Sequence, residues 1–185
     1  YQSLSVPFAK LQAEAVLREQ RPTAWWIAYD HLWLRVAAHW TGDPSLRSAF
    51  DNGRIPYEAI AGLLGCTQEE AQALLMWQVY GRDATLLGQS FPQAVESLPD
   101  NLPAWGLRLD KSLPAYCAGI STMQQAYWQN RKMQTLYGRI LRPGRPHGEA
   151  SAFAIFGTVE DITANAAVTF WRNRTSPDIV INLIK

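Results

Sequence analysis

Trp25-Trp26-Ile27-Ala28-Tyr29-Asp30-His31-Leu32-Trp33-Leu34-Arg35 changes its period halfway along, and that change decides how the chain is read. Trp25 to Tyr29 is short, aromatic and uncharged, the pattern of a strand buried on both faces. From His31 the spacing is helical: Leu32, Val36 and His39 fall in one row with Leu34 and Ala38 beside them, until Thr41-Gly42-Asp43-Pro44 stops the run. A strand that feeds straight into a helix holds one side chain at the sheet edge, a common place for a catalytic group. That position is filled by Ala28, whose methyl group has no chemistry to offer.

Composition narrows the classes open to the chain. Its 185 residues suffice for one sizeable core, so one module is expected, and a charged fraction of 18% with abundant aromatics excludes disorder. Seventeen Lys and Arg against sixteen Asp and Glu leave a net charge of +1, so any nucleic-acid binding must come from a local patch. Cys66 and Cys117 fit no metal-ligand spacing and read as reduced, packed thiols. His31, His39 and His147 have neither a paired nucleophile nor ligand spacing. Without an apolar run of membrane-spanning length or a leading signal peptide, an intracellular, cytoplasmic or nucleoid-associated location is expected. On the same ground the sequon Asn173-Arg174-Thr175 reads as chance, and Tyr1 as a processed end or a fragment edge.

Further along, Pro44 to Phe50 and Pro56 to Leu64 read as short helices, the second ended by Gly65. Thr67-Gln68-Glu69-Glu70 is a capping box opening a helix through Ala71, Leu74, Leu75 and Val79. Gln89 to Leu109 is rich in proline and reads as irregular. Ser112 is expected to cap a helix with Pro114 in its first turn and Tyr116, Ile120, Met123 and Tyr127 on its apolar face. Glu149 to Arg172 reads as a long helix and Ile179 to Lys185 as a β-branched strand. Phe8 to Gln20 carries a helix-like period in Leu11, Ala15 and Arg18.

Several of these segments together resemble family A DNA polymerases, the DNA polymerase I type. The resemblance rests on Leu34-Arg35-Val36-x-Ala38-His39-x-x-Gly42-Asp43-x-x-Leu46-x-x-x-Phe50-x-x-Gly53-Arg54, on Ser112-Leu113-Pro114, on Thr135-Leu136-Tyr137-Gly138-Arg139 and on Gly157-Thr158 with Asp161. It implies an α+β fold: a mostly helical fingers-like lobe, about 56–147, on a small antiparallel palm-like sheet from about 1–55 and 148–185, within a single module.

The same resemblance implies lost chemistry. The family's first motif opens Asp-Tyr-Ser, and the metal-binding Asp falls on Ala28, with Tyr29 on the Tyr and Asp30 on the Ser. Its second metal-binding Asp falls on Lys185 when Asn182 is aligned with the family's Gln and Ile184 with its His; a gapless count from Gly157 instead ends the chain before that motif. The triphosphate-gripping Arg, Lys, aromatic and Tyr of the fingers helix fall on Met76, Val79 (or Tyr80), Asp83 and Leu87, with Arg82 nearby. Ala152 and Phe156 replace the Asn and Gln that read the minor groove. Two-metal phosphoryl transfer needs both carboxylates. The expectation is therefore an inactive polymerase-like protein, without catalytic or metal residues and with no requirement for magnesium or another cofactor.

What remains is a basic run. Arg131, Lys132, Arg139, Arg142 and Arg145 occur between 131 and 147 without one acid, as expected of a strip that follows a phosphate backbone. The partner expected is primer-template or single-stranded DNA, bound by a replication accessory subunit. Two alternatives stand beside it: a partner-binding protein using its Trp-rich segment (Trp25, Trp26, Trp33, Trp40) as an interface, and an active split polymerase completed by another chain.

Overall fold

The computed structural model describes residues 12–16, 24–51 and 56–173; within 12–16 and 24–28 only the backbone is described. Strands β1 (Gln12–Val16) and β2 (Ala24–Ala28) pair antiparallel, from Gln12 opposite Ala28 to Val16 opposite Ala24. Among the described residues nine helices follow: α1 (Leu32–Thr41), α2 (Pro44–Asp51), α3 (Pro56–Leu64), α4 (Gln68–Val79), α5 (Ala84–Ser90), α6 (Pro92–Glu96), α7 (Leu102–Ser112), α8 (Pro114–Asn130) and α9 (His147–Asn173).

The expected α+β class is overturned. The described chain is helical, and its strands amount to one five-residue pair rather than a palm-like sheet carrying a lobe. One misreading accounts for part of this. Gln89 to Leu109 is not irregular but carries the end of α5, all of α6 and most of α7, because Pro92 and Pro103 sit in first turns, where a proline costs no hydrogen bond. Part of the helix-like stretch Phe8 to Gln20 is instead strand β1, where pairing with β2 overrides local periodicity. The strand expected at Ile179 to Lys185 lies outside the described residues.

By its contacts the chain divides into two units, one of Tyr1–Leu32 with Val159–Lys185 and one of Trp33–Thr158. The second is built around α4, where Ala71 and every residue from Ala73 to Val79 are buried. The capping box sets its start: Glu70 N–H donates to Thr67 Oγ1 (3.2 Å) and Thr67 N–H to Glu70 Oε2 (2.8 Å). Helix α3 ends as its sequence predicts, with Gly65 at φ +65° and its N–H on the Ala61 carbonyl.

Helix α8 packs on α4 through the fully buried Tyr116, whose hydroxyl donates to the Leu75 carbonyl at 2.8 Å. Its N-terminus is not capped by Ser112, which ends α7. The cap is Asp43: Oδ1 accepts from Ser45 and Leu46 at the start of α2, and Oδ2 accepts from Tyr116 N–H in the first turn of α8. One buried carboxylate thus closes two helix ends. The far end of α4 meets the start of α9, where Ser151 Oγ donates to the Val79 carbonyl (2.6 Å) and accepts from Gln124 (2.9 Å). A Cβ on Gly148 would lie 2.2 Å from the Tyr80 carbonyl oxygen, so only glycine permits this approach.

Candidate nucleic-acid interface

The basic run lies between the end of α8 and the start of α9. Arg131 ends α8 in the left-handed conformation (φ 51°) with its N–H on the Tyr127 carbonyl. The chain then folds back on itself: Leu141 N–H donates to Met133, Thr135 N–H to the Arg139 carbonyl, and Gly138 N–H to the Thr135 carbonyl, with Gly138 at φ +85° in the turn.

This hairpin is fastened to α9 by the residues that carried the resemblance. Leu136 N–H donates to Thr158 Oγ1 (3.1 Å), which itself donates to the Ala154 carbonyl (2.6 Å). Arg139 Nη2 donates to the Gly157 carbonyl (2.7 Å), and its guanidinium lies 5.3 Å from the Phe153 ring centroid. A Cβ on Gly157 would stand 2.8 Å from Thr135 Cγ2. Thr135-Leu136-Tyr137-Gly138-Arg139 and Gly157-Thr158 are thus two halves of one joint.

The five cations of the run have different surroundings. Arg139 is engaged in the joint. Arg145 pairs with Glu149 at 3.5 Å, its side chain still 58% exposed, and its N–H donates to the Tyr127 hydroxyl (3.1 Å). Arg131, Lys132 and Arg142 are exposed. Sequence reasoning missed Trp128, which is 55% exposed in the last turn of α8. The Arg131 guanidinium stands 4.3 Å from a Trp128 ring centroid and the His147 ring 4.4 Å away, tilted by 60°. The Trp-x-x-Arg spacing at a helix end was the available signal, since it puts ring and cation one turn apart. Tyr137 in the turn and Ile140 beyond it are also exposed.

The positions read as degenerate are placed as follows. Ala28 closes β2, opposite Gln12; Asp30 lies exposed in the turn before α1, where His31 takes φ 52°. Lys185 lies outside the described residues. Among the described residues no three His, Cys, Asp or Glu side chains are grouped to hold a metal.

Met76, Val79 and Leu87 face the core, and Asp83 caps α5 by accepting from Thr85 and Leu86 N–H. Tyr80 is buried against Phe91 and Phe156, and burial, partly offset by a hydrogen bond with Ser90, pushes its phenol pKa up. Arg82 is drawn away by Asp110 and Gln78 and lies 5.7 Å from the Trp77 ring. Burial, with the Asp110 carboxylate beside it, pushes the Cys117 thiol up to about 12, which keeps it neutral and inert. Ala152 is buried, and Phe156 joins a ring cluster with Trp33, Tyr80 and Phe91. Trp33 is thereby packed rather than presented, and it also stacks against Tyr57. For Trp25 and Trp26 only the backbone is described.

The fold is polymerase-like. The structure is similar to the solved POL domain of Pol1 from M. smegmatis in complex with DNA primer-template and dNTP, with a TM-score of 0.59 and 16% sequence identity. The match covers 79% of this chain and 30% of that one, so the chain spans less than a third of that structure. No family model matches the chain, and neither does any curated protein. Among the described residues no helix is long and apolar enough to cross a membrane.

Proposed function

We propose that the chain is a polymerase-like module that binds nucleic acid without catalysing nucleotide transfer. The observation that carries this reading is the contrast between its two halves of chemistry. The strand-to-helix junction, where the resemblance puts a metal-binding Asp, ends in Ala28, while an exposed basic strip survives at 131–145. Nothing in an alanine methyl can hold magnesium, and the residues standing at the phosphate-gripping positions are buried or spent on a helix cap. Arg131, Lys132, Arg142 and Arg145 remain exposed to meet phosphates, with Arg139 holding the hairpin that presents Arg142. The similar solved structure was determined with primer-template DNA, which supports DNA as the partner. Binding by this route needs no magnesium, and an accessory role in replication fits a module that holds a junction without extending it.

Primer extension tests the catalytic half. With labelled primer-template, all four dNTPs and magnesium, the chain leaves the primer unextended while retarding it in a gel. Extension above background would refute the proposal and revive the split-polymerase reading. The partner-binding reading gains support from Leu63 on α3 and Leu107 on α7, which are 56% and 65% exposed on helices that pack together.

A further inference from the structure

The neighbourhood of Trp128 goes beyond a strip of cations. Trp128 leaves more than half of a large ring in solvent, and the groups around it hold that ring in place. Tyr127, one residue earlier, is fully buried, which fixes the last turn of α8. Its hydroxyl accepts from Arg145 N–H, tying the segment before α9 to that turn. Arg131 is set by its left-handed cap and His147 by opening α9, so the cation and the imidazole beside the indole both stand on fixed backbone. Because ring and cation already touch one another on this backbone, ordering them on binding costs less entropy than ordering isolated side chains.

We infer that Trp128, with the Arg131 guanidinium over its ring and the tilted His147 imidazole against it, is a stacking platform on which an unpaired base of single-stranded nucleic acid meets the exposed part of the indole or the guanidinium plane. This rests on the nucleic-acid reading above and names its substrate class. Aromatic rings and guanidinium planes stack on bases of any sequence, and a platform needs the base unpaired to reach its face. Lys132, next in the chain, and Arg145, whose pair with Glu149 is loose at 3.5 Å, supply cations to the adjoining phosphates. A duplex keeps its bases stacked on one another and offers the indole only its backbone. The site therefore favours a single strand or the overhang of a junction.

The test uses the full chain and fluorescein-labelled oligothymidylate of about twelve nucleotides, a length one small binding face can engage. A matched abasic phosphodiester and a blunt duplex serve as comparators. Trp128→Ala weakens oligothymidylate binding about tenfold or more, Trp128→Phe restores most of it, and neither changes binding of the abasic strand. The exposed position makes both variants fold, checked by their thermal melts. If wild type binds duplex and oligothymidylate but Trp128→Ala binds both unchanged, the platform is overturned while the DNA-binding reading stands. If wild type binds none of the three probes, that reading itself fails and takes the platform with it.

Discussion

Replacing Asp43 probes how the helical unit is held together. Its carboxylate accepts from Ser45 and Leu46 N–H at 2.9 and 3.0 Å through Oδ1, and from Tyr116 N–H at 3.0 Å through Oδ2. Asp43, Leu46 and Tyr116 are each at most 1% exposed, so water cannot take over the bonds at those ends. Losing a cap costs about 0.5–2 kcal/mol, and stranding a buried donor about 1–3 kcal/mol. Asp43→Ala, which removes the cap of two helices, is therefore expected to cost about 3–5 kcal/mol. Asp43→Asn separates the two ends. Its amide oxygen can still serve α2, but its NH2 faces the Tyr116 N–H, donor against donor, for a loss of about 1–3 kcal/mol. Urea unfolding followed by circular dichroism measures both, with the three midpoints falling in the order wild type, Asn, Ala and the slopes unchanged. An Asn variant as stable as wild type would refute the double cap, because it would mean that Oδ2 does not hold α8.

Three further outcomes follow from the same geometry. Gly148→Ala puts a Cβ 2.2 Å from the Tyr80 carbonyl and is expected to destabilise by about 3 kcal/mol or more, read as a lowered melting temperature. Arg142→Ala lowers the salt slope of DNA binding by about one and leaves stability unchanged, whereas Arg139→Ala also loosens the hairpin and exposes the Leu136 amide to faster hydrogen exchange. The folded chain holds the Cys117 proton up to about 12 against an ordinary 9.0, while the unfolded chain releases it. The stability from this thiol is thus complete below pH 9.0 and is lost as pH rises towards 12, so the advantage of wild type over Cys117→Ala in urea melts shrinks across that window.

Much of the helical unit was legible because its signals are local. The Thr67–Glu70 capping box, the stop at Gly65 and the apolar face Tyr116, Ile120, Met123, Tyr127 need only neighbouring residues to be read, and each is present. What failed depended on partners far along the chain. Ser112 looked like a cap because it precedes Pro114, yet the acceptor comes from Asp43, distant in sequence. The proline-rich stretch looked irregular because a proline reads as a breaker until one knows that it begins a helix. At the interface the charge run was visible, but not its division between Arg139, turned to the Gly157 carbonyl, and the cations left in solvent. Trp128 was hidden for the opposite reason: a Trp in a helix reads as core, and the Trp-x-x-Arg spacing takes on meaning once the ring is seen to be exposed.

The central claim is binding without catalysis, and fluorescence anisotropy of a labelled primer-template duplex, titrated with the full chain at two salt concentrations with and without magnesium, tests it most directly. The account predicts binding that weakens steeply with salt and is indifferent to magnesium. Absence of binding at low salt, or binding that appears only with magnesium, would contradict it.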